Sequence, residues 1–131
     1  NIVVLGDSSG ANLVLALAQK LRDSGRPMPK KLICFSLWGD MTACGESYER
    51  NCHSDPFYGI ARKEKFKDHE AYFRRRPKYA GEHDLLDPYL SVSFADFSGF
   101  PPTVFFCGTA GERQRHGFRQ CAQRRRRCEA L

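Results

Sequence analysis

Gly6-Asp7-Ser8-Ser9-Gly10 sets a serine hydroxyl between two glycines, each two residues away. A serine so placed can be a nucleophile toward a carbonyl carbon. It must then sit on a sharp turn between an incoming strand and an outgoing helix, with its Oγ presented beyond the strand end. Glycine is expected on either side because a side chain there would crowd the strand or the helix. The helix must begin at once, so that its first N–H groups and its dipole face the oxyanion that develops during attack. The bland alternative is a turn rich in small residues, and Gly and Ser crowd many ordinary turns. The spacing by itself decides little, so the flanking elements carry the weight.

Those elements are present in the required order. Ile2–Leu5 is a short β-branched run that reads as a buried parallel strand. From Ala11 to Asp23 the pattern becomes helical, with Leu13, Ala16, Leu17 and Leu21 recurring on one face. Ser24-Gly25 supplies a stop, with Pro27 and Pro29 beyond it. Leu32–Leu37 is the next apolar run, which completes a strand–helix–strand unit with an expected right-handed crossover. A third run, Thr103–Cys107, follows Pro101-Pro102. Between the second and third runs, residues 60–75 read as a helix with Phe66, His69 and Phe73 on one face. The class implied is α/β, with parallel strands and crossover helices. Three strands leave large unprotected edges, so the sheet is expected to be incomplete.

The chain has 131 residues and a net charge of +6. Residues 111–131 carry seven Arg against two Glu, so nearly all of the basicity belongs to the tail. The body, residues 1–110, is close to neutral, which disfavours a nucleic-acid partner for it. Three readings of the tail stand side by side: a solvated segment, a polyanion-binding arm, or foreign sequence at the end of the coding frame. No apolar run is long enough to cross a membrane, and no secretory leader is visible, which fits a cytoplasmic protein. Six cysteines include no Cys-x-x-Cys pair, and they are read as reduced, with Cys34 and Cys107 buried in strands. No His or Cys pair has metal-ligand spacing, and neither a metal nor a cofactor is expected.

The sequence "GDSSGANLVLAL" at 6–17 resembles the nucleophile region of the hormone-sensitive-lipase-like α/β-hydrolases, a group of carboxylesterases and lipases. The likeness continues through "SLWGDMT" at 36–42, "GESYERNCHSDPF" at 45–57 and "DLLDPYLSVSFADFSGFPPTVFFCGT" at 84–109, in the family's order. It implies a partial α/β-hydrolase domain over residues 1–110 and a small-molecule ester as substrate. Ser8 would be the nucleophile, and the backbone N–H of Ser9 one oxyanion donor. Asp7 and Asn12 would support the turn, and Trp38 and Asp40 would pack and cap the loop after the second strand. Asp55-Pro56 and Asp87-Pro88 read as turn formers.

Departures from the family pattern matter equally. Its second oxyanion segment, His-Gly-Gly, lies upstream of the serine turn and is absent from these residues. Near the expected acid position the only carboxylate is Glu112, and His116 follows too closely to come from a separate loop. His53, His69 and His83 precede that position and read as surface or packing residues. The expectation is therefore a serine carboxylester hydrolase that is inactive as these residues alone. The competing expectations are a basic polyanion-binding module and an inert truncated product. Oligomeric state is not legible.

Overall fold

The computed structural model describes residues 1–44 and 77–107. Within them, strands β1 (Val3–Asp7), β2 (Lys31–Phe35) and β3 (Thr103–Phe106) form one sheet in the order β1-β2-β3. Both pairings are parallel, with Leu5 opposite Ile33 and Cys34 opposite Phe105. Helix α1 (Ser9–Asp23) connects β1 to β2. Two single-turn 3₁₀ segments, Lys78–Ala80 and Val92–Phe94, precede β3. The α/β class and the three strands match the sequence pattern. β1 runs two residues further than its apolar run, through Gly6 and Asp7, and α1 starts two residues earlier, at Ser9. Only Ser8 is left to make the turn.

The core lies on one face of the sheet. Ala11, Val14, Leu15 and Ala18 of α1 pack against Leu32 and Cys34 of β2 and against Val92. This differs from the helical face expected from the leucines. Leu13 is 67% exposed and Leu17 is 46% exposed. The helix carries two apolar stripes, and the one holding Ala11 and Ala18 faces the sheet, because small residues let a helix lie close over strands. At its other end α1 stops on Gly25, whose φ of 62° is open to glycine at little cost. Gly25 N–H donates to Arg22 O and Arg26 N–H to Leu21 O, which satisfies two of the last carbonyls.

Two expectations for the cysteines need correction. Cys34 is fully buried and free, but Cys107 is exposed, because it lies just past the last residue of β3. Cys44 is disulfide-bonded rather than reduced. Cys52, Cys121 and Cys128 lie outside the described residues, as do the expected helix at 60–75, Asp55-Pro56 and the Arg-rich tail.

Candidate active site

Ser8 is the residue between β1 and α1, and its φ of 55° and ψ of −118° place it in backbone space that L-residues seldom occupy. Such a conformation costs on the order of 1–3 kcal/mol and persists only where neighbours hold it. Here they do. Ser8 N–H donates to Phe35 O at 2.9 Å, an extra rung joining the end of β1 to β2. Ser8 C=O accepts the N–H groups of Ala11 at 3.2 Å and Asn12 at 3.4 Å, the first bonds of the helix. The side chain is half-buried, at the C-terminal end of a parallel strand.

The turn is tight enough to dictate Gly6. A Cβ built there would lie 2.4 Å from Gly10 O and 2.8 Å from Ala11 N, both rigid backbone atoms. Gly10 differs from the sequence expectation, because a Cβ there meets nothing within 4 Å. The steric demand falls on one glycine, where the chain enters the turn, and not on both.

Ser9 is the first residue of α1, so its N–H is among those that no helical turn can satisfy. Among the described residues no hydrogen bond uses that N–H or the Ser8 hydroxyl. The first turn of α1 contains no acidic residue, so no carboxylate of the helix itself offsets the positive end of its dipole. The arrangement offers a hydroxyl and an adjacent N–H donor at an electropositive helix terminus. It is suited to an acyl carbon whose oxygen becomes negative.

Of the residues expected to support the site, Asn12, Trp38, Asp40 and Asp87 make such contacts. Asn12 is buried and donates through Nδ2 to Leu90 O at 2.9 Å, while its Oδ1 accepts from Val92 N–H at 3.5 Å. It ties the start of α1 to the segment before β3. Asp40 is buried and accepts the Thr42 N–H at 2.9 Å, which caps the loop after β2. Trp38 packs edge-on to Tyr79, with ring centroids 6.3 Å apart. Asp87 accepts the Tyr89 N–H at 2.8 Å, as a turn-forming aspartate does. Asp7, expected to support the turn, is instead exposed at the end of β1, and His83, read as a surface or packing residue, is exposed as well. His53, His69, Glu112 and His116 lie outside the described residues. Among the described residues no group of His, Cys, Asp or Glu could hold a metal ion.

Ser36 and Trp38 contribute in a way the sequence did not signal. Ser36 also has a positive φ, 45°, and Trp38 N–H donates to Ser8 O at 3.2 Å. A bond between two backbone groups leaves no side-chain signature to find. Beneath the turn, Cys34 Sγ lies 4.0 Å from Ala11 O, and burial pushes its thiol up to about 11.

Parallel strands joined by a crossover helix, with a strained residue at the strand-to-helix turn, define an α/β architecture. The chain belongs to the alpha/beta hydrolase fold family, whose profile matches residues 1–127. It is 30% identical over 108 residues to an acetyl-hydrolase of Streptomyces hygroscopicus, covering 82% of this chain and 33% of that protein. It is 33% identical over 109 residues to an esterase of Acinetobacter venetianus, covering 83% of this chain and 33% of the esterase. Among solved structures, an esterase from the bacterial hormone-sensitive lipase family superposes with a TM-score of 0.71 at 31% identity. That match covers 94% of this chain and 39% of the esterase. A mutant of the esterase E40 superposes with a TM-score of 0.73 at 30% identity, covering 94% and 39%. The family is of esterase and lipase type, and this chain spans about a third of the length of its curated relatives. Among the described residues no helix is long and apolar enough to cross a membrane.

Proposed function

We propose that the protein is a serine carboxylester hydrolase in which Ser8 is the nucleophile and the Ser9 N–H is one oxyanion donor. The observation that carries this reading is the strained Ser8 between β1 and α1, with a turn that only glycine at position 6 can accommodate. In the acylation step Ser8 Oγ bonds to the ester carbonyl carbon and its proton passes to a base. The carbonyl electron pair moves to the oxygen that faces the Ser9 N–H. Collapse of this intermediate breaks the ester C–O bond, and the alcohol leaves with a proton from that base. Water repeats the sequence on the acyl-enzyme and releases the acid. No cofactor enters these steps. Curated relatives named as an acetyl-hydrolase and an esterase favour a small ester with a short acyl group.

A serine is a weak nucleophile unless a base takes its proton, and no described residue bonds the Ser8 hydroxyl. Assayed alone, the 131-residue chain is therefore expected to hydrolyse short-chain aryl esters no faster than its Ser8→Ala variant. Because the chain spans about a third of its curated relatives, the same pair is compared in the complete reading frame around it. There Ser8→Ala is expected to cost on the order of four to six decades in turnover. A complete protein whose Ser8→Ala variant keeps the parental rate would remove Ser8 from the chemistry. Ser8-dependent turnover by the 131-residue chain would place the base within it, and Glu112 and His116 become the first residues to mutate.

A further inference from the structure

The Ser8 carbonyl is held from two sides. The first turn of α1 approaches it through Ala11 and Asn12, and the loop after β2 approaches through Trp38 N–H at 3.2 Å. That carbonyl shares one peptide unit with the Ser9 N–H. A trans peptide is a rigid plate whose C=O and N–H point in opposite directions, and the described chain has no cis bonds. Whatever fixes the carbonyl therefore fixes the aim of the N–H. Trp38 reaches the carbonyl because the chain bends sharply as it leaves β2. Ser36 adopts φ 45° there, and its N–H donates to Phe106 O at 2.8 Å, which anchors the bend to the end of β3. A non-glycine residue with φ in this range is a cost that the anchored bend must hold in place.

We propose that Ser36–Trp38 is a positioning device for the oxyanion site, in which Trp38 N–H sets the plane of the Ser8–Ser9 peptide and hence the direction of the Ser9 donor. The inference rests on the reading of Ser8 as nucleophile and Ser9 N–H as oxyanion donor. A donor on the carbonyl also polarises the peptide, which strengthens the N–H at its other end. Neither the Ser36 hydroxyl nor the Trp38 indole is required to touch substrate. The device works through backbone atoms, with Ser36 and Trp38 as positioning residues.

The test is made in the complete protein with a short-chain aryl ester and a trifluoromethyl ketone, which adds to the serine and places an oxyanion in the same site. Replacing Trp38 by its α-hydroxy acid analogue deletes the N–H and keeps the indole. We expect kcat to fall about 10- to 100-fold with KM within about twofold, and ketone affinity to fall by the same factor as kcat. Trp38→Phe, which keeps the N–H, should lose far less of both. Should the analogue fail to fold, Ser36 supplies the second pair. Ser36→Gly can keep the positive φ, whereas β-branched Ser36→Val resists it, so the Val variant should lose at least tenfold more kcat and ketone affinity. Parental kcat and ketone affinity in the analogue, or equal losses in the two Ser36 variants, overturn the proposal. So does a rise in KM with a lower thermal midpoint and unchanged ketone affinity, the pattern of a merely structural bond. Ser8→Ala separates the two readings. If it keeps turnover, the nucleophile assignment fails. If it abolishes turnover while the analogue behaves as the parent, only the positioning role fails.

Discussion

At Gly6 a methyl group has nowhere to go, because its nearest neighbours would be Gly10 O at 2.4 Å and Ala11 N at 2.8 Å. Gly6→Ala is expected to destabilise the chain by about 3 kcal/mol or more, since relief requires moving the start of α1 off β1. Gly10 makes the opposite prediction. It is the second residue of α1 with open space around it, so Gly10→Ala should be neutral or stabilise by up to about 1 kcal/mol. Paired urea melts check both, and equal losses would mean that the turn is looser than its geometry. The serine turn was legible because its requirements show as residue types: apolar run, glycine, serine, helix. The symmetry read into the two glycines was not real, since only a Cβ at Gly6 meets the backbone at the start of α1, and one at Gly10 meets nothing. Cys34 gives a pH test at the same scale. Its thiol is raised from 9.0 to about 11 by burial, so the folded state holds the proton more tightly than the unfolded chain. Stability from this group is complete below pH 9 and falls as pH rises toward 11, by about 2–3 kcal/mol in all. Cys34→Ala should flatten the stability profile between these values. In the native parent, alkylation at pH 8 should mark exposed Cys107 and spare Cys34.

Among elements, α1 is fixed at both ends by polar contacts of different kinds. At its start, buried Asn12 bonds Leu90 O. At its end, Arg22 donates to Asp96 O and to Ser98 O, pairs with Asp23 at 2.8 Å and lies 5.3 Å over the Phe100 ring. The Arg22 and Tyr89 hydrogen bonds to Asp23 hold its carboxyl below the usual carboxylate range. Arg22→Ala should lower stability by about 1–2 kcal/mol, because two carbonyl bonds to a charged donor and the cover over Phe100 are lost together. Arg22→Lys should recover only part of this, since Nη1 serves both carbonyls while Nε and Nη2 hold Asp23, and a single ammonium nitrogen cannot span the two sets. Thermal melts of the three proteins decide it, and an Ala variant equal to the parent would show that the contacts are not held in solution. The strands and α1 were legible because each is a run of one periodicity ended by Gly or Pro. The helix face was not. Leu13 and Leu17 promise burial by size, yet Ala11 and Ala18 take the sheet side because closeness of approach, not hydrophobicity, selects the stripe over crossed strands. The ties at Asn12 and Arg22 were equally hidden, for they join residues more than 70 positions apart.

For the molecule as a whole, the two faces of the sheet are treated unequally. Alternation along the strands sends Val4, Leu32 and Cys34 toward α1 and sends Val3, Leu5, Phe35 and Phe106 to the other side. On that side Leu5 is 65% exposed and Phe106 is 52% exposed, and Phe35 and Phe106 stack with centroids 4.9 Å apart. Parallel sheets in α/β proteins are covered on both faces, because their strands are apolar on both. The chain, which spans about a third of its curated relatives, presents the second face and the Leu13–Leu17 stripe to solvent. A patch of several aliphatic and aromatic side chains in contact is the kind that associates or binds apolar dyes. The 131-residue chain alone is therefore expected to bind anilinonaphthalene sulfonate and to show a hydrodynamic radius that grows with concentration. Leu5→Ser combined with Phe106→Ser should reduce both effects while leaving the core under α1 intact, because neither side chain belongs to that core. The complete protein should show neither. Dye binding unchanged by the double variant would place the sticky surface elsewhere, and a chain that stays monomeric and dye-free at high concentration would mean that this face is covered in solution.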